Sequence, residues 1–291
     1  MTNFLRNQNT ISKTASLDGV GYWSGLNVHV EFRPAPVGSG ITFIRADLAG
    51  QPRIQVCTEN GIDIPRRTSM QNGPASVEMI EHIMATLTGL QIDNCEVWVD
   101  RAEIPALDGS SRLVVEALSQ VELVDQHSPK PTFQIEDEIR IDSGDSWIKV
   151  IPTDQCGLTL TYELDYQMPS IGQQAITLDV NSASFINQLA SARTFILDTE
   201  AEWLRSQGLG RQVSFQDLLV FGPEGVIDNH LRFPDECVRH KALDVVGDLA
   251  VAGFDIHGCV TAHKSGHRLN GMFVRELVDA YQAKTVRTMS A

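Results

Sequence analysis

The residues that most clearly indicate a reactive or metal-binding site lie in the segment 232–248. Pro234 suits the first turn of a helix. At 3.6 residues per turn, His240, Asp244 and Asp248 fall on one face of that helix. An imidazole and a carboxylate one turn apart can bind one metal ion, and a site without thiolate suits zinc, iron or manganese. The same spacing also occurs on solvated helix faces, so by itself it leaves both interpretations open.

Two shorter segments carry further candidates for metal binding and acid–base chemistry. Glu81 and His82 lie on a predicted helix, 76–87, where His82 could supply a third metal ligand and Glu81 could take a proton from water. His267 follows Gly266 on a predicted loop after a strand, a frequent position for catalytic histidines. Taken singly, each of these residues is more typical of a solvent-exposed side chain than of a catalytic group.

The composition restricts the class of protein. The chain has 291 residues, 42% hydrophobic and 21% charged, enough for one large domain or two of ordinary size. A formal net charge of −14 repels phosphate backbones, so nucleic acid is not an expected partner. The sequence has no apolar stretch of about 18 residues, so we expect no transmembrane helix. The first residues lack the apolar core of a signal peptide.

The cysteines indicate a reducing environment. Five are present, widely spaced and without a C-x-x-C pair, which argues against a disulfide framework and a thiolate metal site. We therefore expect a cytoplasmic protein. A monomer is expected as well, because no heptad or exposed apolar repeat suggests assembly.

Hydrophobic periodicity predicts strands and helices in a similar order in both halves. The predicted strands are 41–45, 53–57, 94–99, 133–141, 146–151, 157–163 and 255–263. The predicted helices are 76–87, 111–119, 182–190, 199–206, 234–252 and 270–283. The segment 124–132 contains two prolines and little that could pack, so we interpret it as a linker. This gives an N-terminal α+β domain, 1–126, and a C-terminal α+β domain, 132–291, that carries most of the metal and acid–base residues.

The three chemical segments belong to a longer series of motifs along residues 10–283. The series is Gly19-Val-Gly21 with Ser24-Gly25, Arg33-Pro-Ala-Pro36, Glu81-His82, Glu103-Ile-Pro105 with Asp108-Gly-Ser110, Ala192-Arg-Thr-Phe195, Val238-Arg-His-Lys-x-x-Asp244 with Gly247-Asp248, and Lys264-Ser-Gly-His267. In this order and at these separations, it resembles the zinc-dependent UDP-3-O-acyl-N-acetylglucosamine deacetylases of lipid A synthesis.

The resemblance implies a role for each residue of the metal and acid–base site. The implied ligands of zinc, or alternatively of Fe²⁺, are His82, His240 and Asp244. Glu81 would be the general base. His267 would be cationic, because a hydrogen bond to Asp248 raises its pKa, and would protonate the leaving amine.

The resemblance also implies contacts to the substrate, an acylated UDP-amino sugar. Thr194 would donate a hydrogen bond to the oxyanion, and Lys241 would supply positive charge beside the reacting group. The other residues implied to contact the substrate are Lys264, Trp23, Phe195, Gln212 and Val213.

Three positions depart from the family pattern. Trp23 stands where the family usually has His. Gln212 and Val213 replace two glycines near the passage for the acyl chain, so their side chains are expected to narrow it. Ser146 stands where a lysine often helps to bind diphosphate. All three departures concern the substrate, so amide hydrolysis is better supported than substrate identity.

The resemblance implies an α+β fold of two similar domains, each a β-sheet with two helices, with the helices packed between the sheets and the site at their junction. Three functions stay open. The chain could be the lipid A pathway deacetylase, a paralogous deacetylase of another N-acetylated sugar or sugar nucleotide, or a non-catalytic sugar-nucleotide binding protein. The full set of catalytic residues favours an enzyme.

Overall fold

Many short strands form the framework of the chain, which this computed structural model describes at residues 6–210 and 213–289. The described residues before 130 form the strands β1 (Asn7–Ile11), β2 (Ala15–Val20), β3 (Asn27–Pro34), β4 (Ile41–Arg45), β5 (Arg53–Gln55), β6 (Gly61–Ile64), β7 (Arg67–Asn72), β8 (Ala75–Glu78), β9 (Cys95–Val99) and β10 (Leu123–Pro129). Those after 130 form β11 (Thr132–Gln134), β12 (Ile139–Ser143), β13 (Ser146–Ile151), β14 (Leu158–Asp165), β15 (Gln173–Val180), β16 (Phe195–Leu197), β17 (Leu219–Gly222), β18 (Gly225–Val226) and β19 (Asp255–His263).

Six α-helices lie between these strands in the described ranges. They are α1 (Glu81–Gly89), α2 (Arg112–Leu118), α3 (Ser182–Ser184), α4 (Asp198–Ser206), α5 (Glu236–Leu249) and α6 (His267–Met289). A π-helical turn, Phe185–Leu189, extends α3, and 3₁₀-helices occupy Thr58–Asn60 and Ala250–Ala252. Among these, the structure describes no helix that is both long and apolar enough to cross a membrane.

The two main sheets have the same topology. The first has the strand order β2-β3-β9-β4-β5 and the second β12-β13-β19-β14-β15, with β11 added beside β19. In each sheet the last strand in sequence lies at the centre, antiparallel to one neighbour and parallel to the other. This confirms the predicted α+β fold with two similar halves. It also supports our proposal that the chain divides into domains 1–126 and 132–291.

The helices bring the two halves together. Helices α5 and α6 pack on the second sheet, α2 packs on the first, and α1 of the first half packs along α5 of the second. One glycine makes this last contact possible, because a Cβ on Gly247 would lie only 2.2 Å from the carbonyl oxygen of Glu81. Any other residue would push α1 and α5 apart.

The predicted helix 76–87 is wrong at its start. The segment Ala75–Glu78 forms β8, in which buried Ala75 and Val77 alternate with half-buried neighbours, the period of a strand rather than of a helix. Met79 then has a φ of 64°, which turns the chain before α1 begins at Glu81. Pairing with β7 decides the conformation here, and the apolar residues alone do not reveal it.

Two further expectations fail for a similar reason. The segment 124–132, interpreted as a linker, lies mostly in β10, which pairs antiparallel with β1. His267, predicted on a loop, is the first residue of α6. In β10, hydrogen bonds to a distant strand order the backbone, and at His267 hydrogen bonds along the helix do so. The local composition had suggested irregular structure at both places.

An arginine joins the two halves on the side where β1 and β10 pair. Arg6 donates to Asp93 of the first half, with N···O distances of 2.7 and 2.8 Å, and to Asp255 of the second half at 2.7 and 2.9 Å. Lys130 lies 3.0 Å from the same Asp93 carboxylate. Although burial alone would raise the pKa of Asp93, these two cations hold it below its usual value.

Replacing Arg6 tests how strongly this contact holds the halves together. We expect Arg6→Ala to lower the free energy of unfolding by about 3 kcal/mol, because it leaves the buried Asp93 carboxylate with one cation fewer. Arg140→Ala is the matched control, since Arg140 pairs with Asp142 on the exposed surface and its loss should not change the melting temperature. Equal melting temperatures for both variants would contradict this role of Arg6.

Candidate active site

Three side chains from both halves converge where α1 meets α5. His82 lies on α1, and His240 and Asp244 lie one turn apart on α5. One ligand atom from each lies within 4.8 Å of the other two. The Asp244 Oδ1 atom is 3.3 Å from His240 Nε2 and 3.7 Å from His82 Nε2, and the two imidazole rings meet edge to face. Such a set of nitrogen and oxygen donors can share one divalent ion.

The hydrogen bonding of Asp244 supports a metal at this point. Its Oδ2 atom accepts a hydrogen bond of 2.8 Å from Lys241. Its Oδ1 atom is buried and has no hydrogen-bond partner among the described residues. A buried carboxylate oxygen without a partner is costly, and a cation between Oδ1 and the two imidazoles would remove that cost. The three residues therefore fit a divalent metal.

A backbone carbonyl sets the orientation of His240. The Nδ1 atom of His240 lies 3.1 Å from the Ala192 oxygen. A proton on Nδ1 that bonds this carbonyl leaves Nε2 with a free lone pair toward Asp244. Burial lowers the pKa of His240 to about 3, so the ring is neutral, which is the form that binds metals.

Glu81 is poised to accept a proton. It is the first residue of α1, is only 4% exposed, and its Oε2 atom accepts a hydrogen bond of 2.9 Å from the Thr68 backbone. Burial raises the pKa of Glu81, although nearby His267 and His82 act in the opposite direction. A carboxylate held beside the metal ligands with a raised pKa suits a general base.

His267 and Asp248 form an ion pair across α5 and α6. The Nδ1 atom of His267 lies 3.0 and 3.2 Å from the two Asp248 oxygens, and its Nε2 atom lies 3.8 Å from Asp244. Burial alone would lower the pKa of His267, but Asp248 and Glu81 together raise it to about 10. His267 is therefore a cation that can donate a proton from Nε2.

Thr68 and Asn270 complete this pair, and sequence reasoning missed both. The Thr68 hydroxyl and the Asn270 amide each donate to Asp248, the latter at 2.7 Å. Asn270 lies three residues after His267, so a helix predicted to begin at 267 would have placed both on one face. Thr68 had no comparable signal, because β7 was not among the predicted strands.

Lys241 and Thr194 approach the same centre. Burial alone would lower the pKa of Lys241, but the Asp244 carboxylate and the Tyr162 hydroxyl raise it, so Lys241 is a cation. The Thr194 backbone is held from both sides: its N–H donates to Gly109 at 2.7 Å, and its carbonyl accepts from the strand that begins at residue 219.

One cavity of about 1080 Å³ contains the candidate site. The predicted site residues that line it are Trp23, Glu81, His82, Thr194, Phe195, Val213, His240, Lys241, Asp244, Lys264 and His267. Asp248 does not line this cavity and instead supports His267 from behind. Gln212 lies outside the described residues.

The three departures from the family pattern concern this cavity. The Arg67 guanidinium carbon lies over the Trp23 ring, 5.2 Å from the ring centroid. The buried indole N–H of Trp23 has no acceptor in the described part of the chain. Val213 and Ser146 line the wall. Lys264 also lines it, but its ammonium is paired with the exposed Asp145.

Comparison with known proteins agrees with this geometry. Residues 8–279 match the family model described as LpxC: UDP-3-O-acyl N-acetylglycosamine deacetylase. The chain belongs to this family. The resemblance inferred from the motifs is therefore confirmed over nearly the whole chain.

Individual members of the LpxC family match over most of their length. The UDP-3-O-acyl-N-acetylglucosamine deacetylase of Bdellovibrio bacteriovorus is 39% identical over 275 residues, which cover 94% of this chain and 90% of that protein. A protein of the same name from Myxococcus xanthus is 36% identical over 273 residues, covering 94% and 86% of the two chains. That of Thioalkalivibrio sulfidiphilus is 34% identical over 284 residues, covering 96% and 93%.

In this LpxC chain, a buried ion pair fixes the loop that orients His240. Glu236, the first residue of α5, is fully buried and accepts hydrogen bonds from the Arg193 backbone at 3.0 Å and from its guanidinium at 2.8 and 3.1 Å. Glu236 also accepts a 2.6 Å bond from the Arg232 backbone. Since Ala192 precedes Arg193 directly, this pair determines where the carbonyl that holds His240 lies.

We expect Glu236→Gln to weaken metal binding by about 10- to 100-fold, because the support of a ligating histidine is disturbed. Competition with a chelating dye, at a temperature where the variant is folded, measures the change. Asp235→Asn is the matched control, since Asp235 lies one residue earlier and only pairs with Arg239 at the surface of α5. If Glu236→Gln lowers the melting temperature but leaves the metal affinity unchanged, the pair serves stability alone.

Proposed function

We propose that this protein removes the acetyl group from the amide nitrogen of UDP-3-O-acyl-N-acetylglucosamine, giving acetate and the free amine, as a step of lipid A synthesis. The observation that carries the proposal is the placement of His82, His240 and Asp244 beside Glu81 and His267 in one cavity. Membership of the LpxC family supports it, since the relatives carry the name of this activity. A protein with all of these groups is a hydrolase rather than a non-catalytic binding protein.

We propose zinc as the metal, with Fe²⁺ as the alternative. Two imidazoles and one carboxylate, without thiolate, are a frequent ligand set of catalytic zinc, and the same donors accept iron. When bound, the metal would polarise the amide carbonyl and make water more acidic.

The residues around the metal site would carry out the proton transfers. Glu81 takes a proton from the attacking water, since its pKa is raised by burial and its position is fixed by Thr68. His267, held as a cation by Asp248, donates a proton to the amide nitrogen as its bond to the acetyl carbon breaks. The first transfer is needed because neutral water is a weak nucleophile toward an amide, and the second because an amine is a poor leaving group unless it is protonated.

Thr194 and Lys241 would stabilise the negative charge that develops on the amide oxygen. Both line the cavity, and Lys241 keeps its positive charge through Asp244. Preorganised donors of this kind lower the barrier most where water is excluded. Lys241 would therefore stabilise the transition state in addition to pairing with Asp244.

The rest of the cavity would hold the sugar nucleotide and its acyl chain. We assign these contacts to Trp23, Phe195, Val213 and Lys264, which line its wall, and to Gln212. The buried indole N–H of Trp23 lacks an acceptor within the described residues and would find one on the substrate. We further propose that the protein acts in the cytoplasm as a monomer.

Loss of the Glu81 carboxylate tests the assignment of the base. Glu81→Gln keeps the size of the side chain, so we expect it to lower kcat by about 10²- to 10⁴-fold while the metal stays bound. Release of free amine and metal content per chain are the two measurements. Glu116→Gln, on the exposed side of α2, is the matched control. A Glu81→Gln variant as active as the native protein would refute this mechanism.

A second prediction concerns the acyl chain. If the cavity recognises it, kcat/KM for the 3-O-acylated UDP-sugar exceeds that for UDP-N-acetylglucosamine by orders of magnitude, because burial of each CH₂ contributes about 0.8 kcal/mol. Parallel turnover measurements with the two substrates decide this. Equal turnover would favour a paralogous deacetylase of another N-acetylated sugar nucleotide, consistent with Val213 in the wall.

A further inference from the structure

A second, smaller cavity lies behind the His267–Asp248 pair. Its volume is about 250 Å³, it opens to solvent on one side, and β6, β7 and one face of α6 form most of its wall. His267 and Asp248 themselves form part of its lining. Residues that line both cavities, including Ile64, Arg268 and Met272, make it a direct neighbour of the candidate active site. The proposed mechanism does not use this space.

A glycine in the middle of a helix keeps the small cavity open. Gly271 lies in the second turn of α6 and lines the cavity, and a Cβ built there would have no other atom within 4 Å. Glycine in a helix is less stable than alanine, and no close neighbour requires it at this position. The absent side chain therefore leaves room for something other than protein.

One cation at the mouth of the cavity has no protein partner among the described residues. His267 pairs with Asp248, and two arginines of the wall pair with Asp63 and Glu78. Arg275 is exposed and has no hydrogen bond or ion pair with any described residue. Its guanidinium extends to β6, since a Cβ on Gly61 would lie 3.7 Å from it.

Apolar side chains form the remaining wall. Met70 of β7, Val274 of α6 and Val251 of the 3₁₀-helix Ala250–Ala252 are buried core residues that line the cavity. A ligand with one small apolar end and one anionic end would match this surface, because it buries the apolar end and gives Arg275 a charged partner. A short carboxylate has this form and fits the volume.

We propose that this cavity is a second binding site for a short carboxylate, namely the acetate that the reaction releases. The carboxylate bonds to Arg275 and the methyl group lies toward Val251 and Val274. The identity of the ligand rests on the proposed function, since acetate is its product. The site itself requires neither the metal nor turnover, so it can be tested separately.

The test is acetate binding to metal-free protein, measured by saturation-transfer NMR. We expect Arg275→Ala to weaken acetate binding by about tenfold, because one charge-assisted hydrogen bond is lost. Gly271→Leu should abolish binding at this site by filling the cavity, while a leucine suits the helix. Arg287→Ala, which removes an exposed arginine of α6 outside both cavities, should bind acetate like the native protein.

The outcomes separate this proposal from the deacetylase assignment. Native-like acetate affinity in both Arg275→Ala and Gly271→Leu, or no acetate binding to the native protein, overturns the second site. Stronger binding of inorganic phosphate than of acetate overturns the carboxylate assignment. Formation of free amine is followed independently with metal-loaded protein, so a failure of deacetylation is recognised without reference to these binding data.

Discussion

Two helices from opposite halves of the chain lie close enough to share the proposed metal site, and this approach depends on the absence of a side chain at Gly247. A Cβ there would lie 2.2 Å from the Glu81 carbonyl oxygen, which is incompatible with the observed packing. The contact places His82 beside Asp244 and Glu81 within the field of His267. Wider separation of the helices would disperse the ligands and the acid–base groups together.

Most buried polar groups around this contact have hydrogen-bond partners among the described residues. Asp248 is held by three donors, His240 by a backbone carbonyl, and that carbonyl in turn by the Arg193–Glu236 pair. The buried oxygens that lack a partner among the described residues include the Oδ1 atoms of Asp244 and Asn270. The Asp244 oxygen lies 3.3 Å from His240 Nε2 and 3.7 Å from His82 Nε2, so a shared metal ion is the partner that fits it.

The chemistry of the site is predictable where it depends on spacing within one helix. The 3.6-residue period alone places His240, Asp244 and Asp248 on one face of α5. Convergence of His82 from another helix follows from the family resemblance, because spacing along the chain does not reveal which helices touch. Gly247 belongs to one of the recognised motifs, but its contribution to the helix contact becomes visible only with the partner helix in place.

Errors in the fold come from segments whose conformation is set by strand pairing. The strand β8 is mistaken for the start of α1, although it forms a hairpin with the preceding β7, and β10 is mistaken for a linker, although it pairs with the distant β1. The same limitation hides Thr68, whose role depends on the position of β7 against α6. The repeated sheet topology is likewise apparent only from the strand pairing.

X-ray absorption at the zinc edge of metal-loaded protein tests the shared ligand set most directly. The proposed zinc site predicts one ion per chain, with imidazole scattering from two histidines and only nitrogen and oxygen donors, at about 2.0–2.2 Å. A first shell that contains sulfur, or that lacks histidine, would contradict it. So would a protein that takes up no stoichiometric metal, because the unpaired Asp244 oxygen would then have no role in holding one.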